Sequence, residues 1–244
     1  MHDTRSSATA DHRAAVLRIA WTVTTVLVVQ IAVCAAAAAP VVFVWVQLRS
    51  LVIPEPFRIL VLGAAVAPSY LAFALILMPA SALACRVLRW RSPENASMVI
   101  AEAGWPLLCW ARYMAAIHVV RIFAGPLLRG TPVWTAYLRL AGARLGRRVY
   151  VNSLGLSDYN LLDFGDGVVV GADVHLAGHT VENGVVTTMR VRLGRNVTIG
   201  VGSMVEIGVE AGDGSQVGAL SFVPKRTKLE PGGIYVGIPV HRIH

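Results

Sequence analysis

The hydrophobic positions in the first half of the chain form two long, uninterrupted stretches. Residues 19–48 are 30 residues without a formal charge, and residues 59–85 are 27 more. About 20 such residues span a hydrocarbon core as a helix. The pattern therefore predicts an N-terminal segment and a transmembrane α-helical hairpin over residues 1–91. A cleavable signal peptide is the alternative for the first stretch, but its apolar region is usually about 7 to 15 residues long.

Basic residues flank both outer ends of the predicted hairpin. They outnumber the arginines of the short connection and are Arg5, Arg13, Arg18, Arg86, Arg89 and Arg91. Because cytoplasmic segments next to a membrane carry an excess of Lys and Arg, we expect both termini on the cytoplasmic side. The chain that follows the hairpin is expected there as well.

Aromatic and basic residues alternate between positions 92 and 144, where the long apolar runs have ended. The aromatic residues are Trp105, Trp110, Tyr113, Phe123, Trp134 and Tyr137, and the arginines are Arg112, Arg121, Arg129, Arg139 and Arg144. This mixture predicts amphipathic helices that lie in the membrane interface. The alternative is a pair of helices packed on a soluble domain, with the same aromatic residues in its core.

A period of six characterises residues 145–244. One column of the repeat is apolar throughout and consists of Leu193, Ile199, Val205, Ala211, Val217, Val223 and Leu229. An earlier phase of this column consists of Leu145, Val151, Phe164, Val170 and Leu176, with interruptions at 152–163 and 177–192. Each unit is typical of a short strand followed by a tight turn, which predicts an all-β parallel β-helix of triangular section. An antiparallel sandwich would need two-residue alternation and hairpin turns, and only Asn183-Gly184 fits.

Composition agrees with one modest domain joined to a membrane anchor. The chain has 244 residues, 55% of them hydrophobic and 15% charged, with a mean hydropathy of +0.60. The net charge is +8, and the arginines cluster next to the apolar segments. Anionic lipid headgroups are therefore favoured as partners over nucleic acid. The three cysteines lack the spacing of metal ligands, and neither a disulfide framework nor a metal site is expected.

Three segments resemble the hexapeptide-repeat acyltransferases. They are VRLGRNVTIG at 191–200, GDGSQVGA at 212–219 and the closing GIPV at 237–240. The resemblance covers the chain from about Leu145 onward. It implies a left-handed β-helix, a homotrimer with active sites between subunits, and acyl transfer from a thioester such as acetyl-coenzyme A.

A second resemblance reaches further back along the chain. RGTP at 129–132 and YLRLAGARLG at 137–146 are similar to the membrane-embedded C-terminal region of poly-lysine-synthetase-like nonribosomal peptide synthetases. That region also joins transmembrane helices to hexapeptide repeats. The chain would correspond to a free-standing version of this terminal module.

His179 is the candidate catalytic residue, because it follows the apolar column at the second interruption. In the resembling acyltransferases a histidine at such a place is the general base, and imidazole titrates close enough to neutral pH to accept the acceptor's proton. Asp158 and Asn160, in the first interruption, would orient the histidine or the acceptor. The alternatives are a surface histidine and ordinary turn chemistry at Asp158 and Asn160. Whether His175 contributes is left open.

The resemblance also predicts where a thioester donor binds. Its phosphopantetheine arm would follow the β-helix between subunits, and the candidate contacts are Gly202, Ser203, Ala219, Ser221, Lys225 and Arg226. Lys225 and Arg226 would meet its phosphates. Alternatively, these two residues belong to a solvated turn that discourages aggregation.

Three functions are compatible with these observations. The first is a membrane-anchored acyltransferase acting on a hydroxyl or amine of a membrane-associated saccharide, lipid or peptide. The second is a module that forms amide bonds from aminoacyl thioesters on a carrier protein. The third is a non-catalytic scaffold that trimerises membrane helices.

Overall fold

The computed structural model describes residues 3–244, with side chains from residue 12 onward, so Arg5 of the predicted basic flank lies outside the described side chains. The chain begins with two long helices, α1 (Asp3–Arg49) and α2 (Glu55–Val87), which pack as a hairpin. Three shorter helices follow: α3 (Trp105–Phe123), α4 (Gly125–Leu128) and α5 (Pro132–Leu140). By length and composition, α1, α2 and α3 are each apolar enough to cross a membrane.

Helix α3 is the third such helix, whereas the sequence predicts only a two-helix hairpin. Near its start, Trp110 contacts Asp158 of the β domain. Just beyond its end, Arg129 forms an ion pair with Asp173 of the same domain at 3.1 Å. Helix α3 also packs against both α1 and α2 of the hairpin. Its location in the membrane interface stays a prediction.

The strands are short. In chain order they are β1 (Ala96–Val99), β2 (Arg144–Leu145), β3 (Tyr150–Val151), β4 (Leu162–Phe164), β5 (Val169–Val170), β6 (His175–Leu176), β7 (His179–Glu182), β8 (Val185–Thr188), β9 (Val191–Leu193), β10 (Thr198–Ile199), β11 (Met204–Val205), β12 (Glu210–Ala211), β13 (Gln216–Val217), β14 (Phe222–Val223), β15 (Lys228–Leu229), β16 (Ile234–Val236) and β17 (His241–Arg242).

Most of these strands form a left-handed parallel β-helix with three faces. The faces have the orders β2-β4-β9-β12-β15, β3-β5-β10-β13-β16 and β6-β11-β14, and β17 pairs antiparallel to β16. The predicted apolar column is confirmed as the core, since Leu176, Ile199 and Val223 are at most 1% exposed. Successive coils leave no room at the corners. A Cβ on Gly200 would lie 2.4 Å from the backbone nitrogen of Ala219.

Both interruptions of the repeat have a defined structure. The first contains a single 3-10 turn, Tyr159–Leu161, after which β4 resumes the coil. The second is a hairpin made of β7 and β8. The outer edge of β8 pairs with β1, which belongs to the segment between α2 and α3. The hairpin is therefore fixed to the helical region by a three-stranded antiparallel sheet.

Candidate active site

His179 and Asp158 form a hydrogen-bonded pair at the junction of the two interruptions. The His179 Nδ1 atom lies 2.5 Å from Asp158 Oδ2. The Asp158 side chain is fully buried, whereas that of His179 is 22% exposed. Because the carboxylate accepts a hydrogen bond from Nδ1–H, the neutral ring carries its lone pair on Nε2. Among the described residues, Nε2 has no hydrogen-bond partner.

Three further donors converge on the Asp158 carboxylate. Ser92 Oγ and Trp110 Nε1 donate to Oδ1 at 2.5 and 3.0 Å, and Ser157 Oγ donates to Oδ2 at 2.9 Å. The Trp110 ring also packs edge-on against the His179 ring, with centroids 5.1 Å apart. The carboxylate is therefore held in one orientation, and so is the imidazole that it bonds.

Local backbone geometry explains how the pair is assembled. Asp158 has a φ of 49°, a left-handed conformation that aspartate tolerates better than most residues, and the 3-10 turn begins directly after it. Gly178 precedes His179, and a Cβ there would lie 2.8 Å from the Asp158 Cβ. Only glycine lets the second interruption approach the first this closely.

Electrostatics keep Asp158 ionised. Burial raises the pKa of the Asp158 carboxyl, but hydrogen bonding and charge from His179, together with the hydroxyls of Ser92 and Ser157, outweigh it and leave the pKa below its ordinary value of 3.8. A buried carboxylate with four donors is thus available to stabilise an imidazolium on His179 when it forms.

The lowered pKa predicts a specific loss of stability in acid. In the folded state the Asp158 carboxyl binds a proton less readily than in the unfolded state. The stabilisation from ionised Asp158 is therefore present above about pH 4 and is lost as the pH falls through the lowered pKa of the folded state. We expect the difference in Tm between the wild type and Asp158→Asn to shrink as the pH is lowered from 6 to 3. A difference that grows towards acid would contradict this assignment.

Asn160 is hydrogen-bonded to the backbone of Ser92 and, among the described residues, has no hydrogen bond to His179. Its side-chain oxygen accepts from the Ser92 backbone N–H at 3.1 Å, and its amide donates to the Ser92 carbonyl at 2.8 Å. Asn160 thus fixes the segment that presents the Ser92 hydroxyl to Asp158, and its effect on His179 is indirect.

An ion pair supports the same segment. Arg190, with its side chain only 6% exposed, donates to both carboxylate oxygens of Glu94 at 2.8 and 2.7 Å, and to the carbonyl of Asn160. This pairing lowers the pKa of Glu94. It joins the chain after α2 to the end of the β7–β8 hairpin.

Breaking this pair should destabilise the protein. Glu94→Ala leaves a buried guanidinium without its carboxylate, and we expect a loss of about 2 kcal/mol in the free energy of unfolding. Glu210→Ala is the matched control, because Glu210 pairs with Arg192 on the surface and exposed pairs contribute at most about 1 kcal/mol. Equal losses in denaturant unfolding of the two variants would show that the Glu94 pair has no special role.

The residues predicted to bind a thioester donor divide into two groups. Gly202 and Ala219 lie exposed at adjacent coil corners. Ser203 and Ser221 are at most 2% exposed. Ser203 Oγ donates to the Gly218 carbonyl and accepts from the Ser221 backbone N–H. The Ser203 side chain therefore connects neighbouring coils, and donor contacts at the two serines stay a prediction.

Lys225 and Arg226 lie at the corner of the β-helix from which the hairpin projects. Lys225 forms an ion pair with Glu182 at the end of β7, and Arg226 Nε lies 3.3 Å from the Met189 sulfur. Both side chains are thus close to the hairpin that carries His179. Their phosphate contacts stay a prediction.

Sequence reasoning missed Ser92, Ser157 and Trp110. Ser157 stands next to Asp158 in the first interruption, where a serine is also ordinary turn chemistry. Ser92 and Trp110 are 66 and 48 residues away from Asp158 in sequence, and they belong to the region predicted as interfacial helices. No local pattern indicates that these two residues meet a carboxylate of the β-helix.

Comparison with known proteins gives two curated relatives, while no family model matches. The chain is 26% identical over 181 residues to delta-poly-L-ornithine synthetase of Acinetobacter baumannii, which covers 73% of the chain and 13% of that protein. It is 32% identical over 116 residues to galactoside O-acetyltransferase of Escherichia coli, which covers 44% of the chain and 55% of that protein. The chain thus spans about an eighth of the length of the synthetase and about half of the length of the acetyltransferase.

Solved structures give matches of the same kind. Galactoside acetyltransferase in complex with coenzyme A has a TM-score of 0.38 and 23% identity, over 46% of this chain and 69% of that one. Serine acetyltransferase of Neisseria gonorrhoeae has a TM-score of 0.41 and 16% identity, over 71% of this chain and 53% of that one. The match to the synthetase is longer than the β-helix, so it includes helical segments. In sequence, the chain is therefore similar to a hexapeptide-repeat acetyltransferase in part and to a poly-amino-acid synthetase over most of its length.

Proposed function

We propose that the chain is a membrane-anchored acyltransferase in which His179 is the general base and Asp158 its positioning residue. The observation that carries the proposal is the 2.5 Å hydrogen bond between His179 Nδ1 and the buried Asp158 carboxylate. It leaves the lone pair of Nε2 without a hydrogen-bond partner among the described residues, on a side chain that is 22% exposed. The similarity to galactoside O-acetyltransferase supports acetyl-coenzyme A as the default donor.

The reaction would proceed by direct transfer. Nε2 takes the proton of the acceptor hydroxyl or amine while that oxygen or nitrogen attacks the thioester carbonyl. The imidazolium that forms is stabilised by Asp158. When the tetrahedral intermediate collapses, the carbon–sulfur bond breaks and the imidazolium returns its proton to the leaving thiolate. One acyl ester or amide and one free thiol result.

The partners follow from the proposed reaction and the helical region. The acceptor is a membrane-associated saccharide, lipid or peptide, and the β-helix faces the cytoplasm, where coenzyme A is available. A homotrimer is proposed because large apolar side chains are exposed on the β-helix, with Leu220 at 72% and Ile238 at 77%.

The test of the function is thiol release from acetyl-coenzyme A by the purified protein, with and without an extract of membrane lipids.

Donor binding is testable without an acceptor. Ala219 lies exposed at a coil corner, so Ala219→Trp should obstruct a donor that lies along the β-helix without disturbing the core. We expect about a tenfold or greater loss of affinity for acetyl-coenzyme A in isothermal titration. Asp213→Trp is the control, on an exposed corner that carries no predicted donor contact. Unchanged affinity in Ala219→Trp would place the donor elsewhere.

The similarity to delta-poly-L-ornithine synthetase favours a second candidate, amide-bond formation from an aminoacyl thioester on a carrier protein. The same base would then deprotonate an amine. Absence of acetyl-coenzyme A binding by the wild type, together with aminoacyl transfer from a loaded carrier protein, would select this candidate.

A further inference from the structure

A cavity of about 440 Å³ lies where the end of α2 meets α3, α5 and the first coil of the β-helix. It is outside the His179 site. Its lining includes Arg86, Arg89, Trp90, Arg91, Tyr113 and Asn160. Three of these residues are arginines, and the proposed acyl transfer uses none of them.

The positive charges of this cavity are unbalanced. In the part of the chain that the structure describes, no carboxylate oxygen lies within 4.0 Å of the guanidinium of Arg86, Arg89 or Arg91. Other arginines, such as Arg129 and Arg190, do have such partners. Like charges gathered around one cavity repel each other, and an anion between them removes this repulsion. Guanidinium groups bind phosphate through paired hydrogen bonds.

The backbone at the end of α2 holds these arginines in place. Arg89 has a φ of 55°, a left-handed conformation that glycine usually supplies just after a helix. The backbone N–H of Trp90 then donates to the Cys85 carbonyl at 2.8 Å, and the indole turns inward to 8% exposure. The turn thus buries Trp90 and leaves Arg89 and Arg91 on either side of it.

The cavity has an apolar side and a polar side. Ala82, Cys85 and Leu140 line the first, at the end of the second candidate membrane-spanning helix. On the polar side, Arg91 and Asn160 also line a neighbouring cavity of about 510 Å³ that includes Ser92. The phosphate of a lipid bound here would face the arginines, and the apolar part of the same lipid would face Ala82, Cys85 and Leu140. Headgroup phosphates lie at this level of a bilayer, at the ends of spanning helices.

We propose that the cavity lined by Arg86, Arg89, Arg91 and Trp90 binds the phosphate group of a phosphorylated lipid. The shared chemistry is a terminal phosphate monoester or a diphosphate, which phosphatidylcholine lacks. Its source is either a membrane lipid or a soluble phosphate compound, and the lipid is favoured by the apolar side. The inference does not depend on acyl transfer.

Binding to the purified full-length protein in a non-ionic detergent tests the proposal. Isothermal titration would use dihexanoyl phosphatidic acid, dihexanoyl phosphatidylcholine and inorganic pyrophosphate as three separate probes. We expect saturable binding of phosphatidic acid, and an affinity about 100-fold lower in the Arg89→Gln/Arg91→Gln double variant, since each lost charged contact is worth about a factor of ten. The matched control is Arg49→Gln/Arg58→Gln, at the other end of the hairpin, which should bind like the wild type.

Two further measurements separate the outcomes. Arg89→Lys/Arg91→Lys keeps the charge and should bind with intermediate affinity, which tests the site even if the glutamine variant fails to fold. Pyrophosphate binding as tight as that of phosphatidic acid supports the phosphate site and assigns it to a soluble compound. His179→Ala should bind all probes normally, so failure of the acyltransferase proposal leaves this result intact. Equal phosphatidic acid affinity in the wild type and both arginine variants, or equal binding of phosphatidylcholine, would overturn the proposal.

Discussion

Replacing His179 with alanine should lower the rate of acyl transfer about 10³-fold, within the range that a positioned general base contributes. The variant lacks the only group of the Asp158–His179 pair that can accept the acceptor's proton. The affinity for the thioester donor should stay unchanged, because the base acts on the acceptor. Thiol release under saturating donor measures the rate, and titration measures the affinity.

The matched control for this experiment is His175→Ala. His175 lies four residues earlier, on the exposed position of β6, and no described contact joins it to Asp158. We expect its rate to remain within about threefold of the wild type. If His179→Ala keeps full activity in the cell, the non-catalytic scaffold becomes the better explanation of the fold.

Asp158→Asn should produce the second-largest effect, a loss of about 10²-fold in kcat with little change in KM. An asparagine fits the same space and tolerates the same left-handed backbone. Its amide can donate to Nδ1, which would place the ring proton on Nε2 and remove the base. The residual rate of the variant should then rise continuously with hydroxide concentration. The wild-type rate should instead reach a plateau once the His179 imidazole is neutral. A merely structural aspartate would not change that pH profile.

Asp173→Asn is the control for the Asp158 variant. Asp173 also has a left-handed backbone, with a φ of 55°, but its side chain is 74% exposed and pairs with Arg129 on the surface. The same chemical change there should leave kcat and its pH profile as in the wild type. Equal losses in both aspartate variants would argue against a positioning role for Asp158.

The β-helix could be predicted from the sequence because its rule is local and repetitive. An aliphatic residue recurs every six positions, and a glycine such as Gly200 follows where the coils touch. The pattern also located His179 and Asp158 at the two interruptions. It could not show that these interruptions meet, because their contact depends on how far each loop departs from the coil.

The role of Asn160 and the surroundings of Asp158 could not be predicted from the same pattern. Ser92 and Trp110 reach Asp158 only because α2 and α3 pack over the first coil. Such packing is decided by tertiary contacts that leave no periodic trace in the sequence. Likewise, the sequence marks Ser203 only as a candidate donor contact and does not show that its hydroxyl bonds to a neighbouring coil.

The sheet formed by β1, β7 and β8 has a consequence for how this protein can be dissected. Strand β8, the hairpin partner of the histidine strand β7, is edged by β1 from the helical region, and two of the donors to Asp158 come from that region too. A soluble fragment beginning at Leu145 would keep every complete coil but would lose one edge of the sheet, the Ser92 hydroxyl and the Trp110 indole. The helical region is therefore part of the scaffold of the candidate active site. A β-helix expressed without the helical region would lack two of the hydrogen bonds that hold the Asp158 carboxylate.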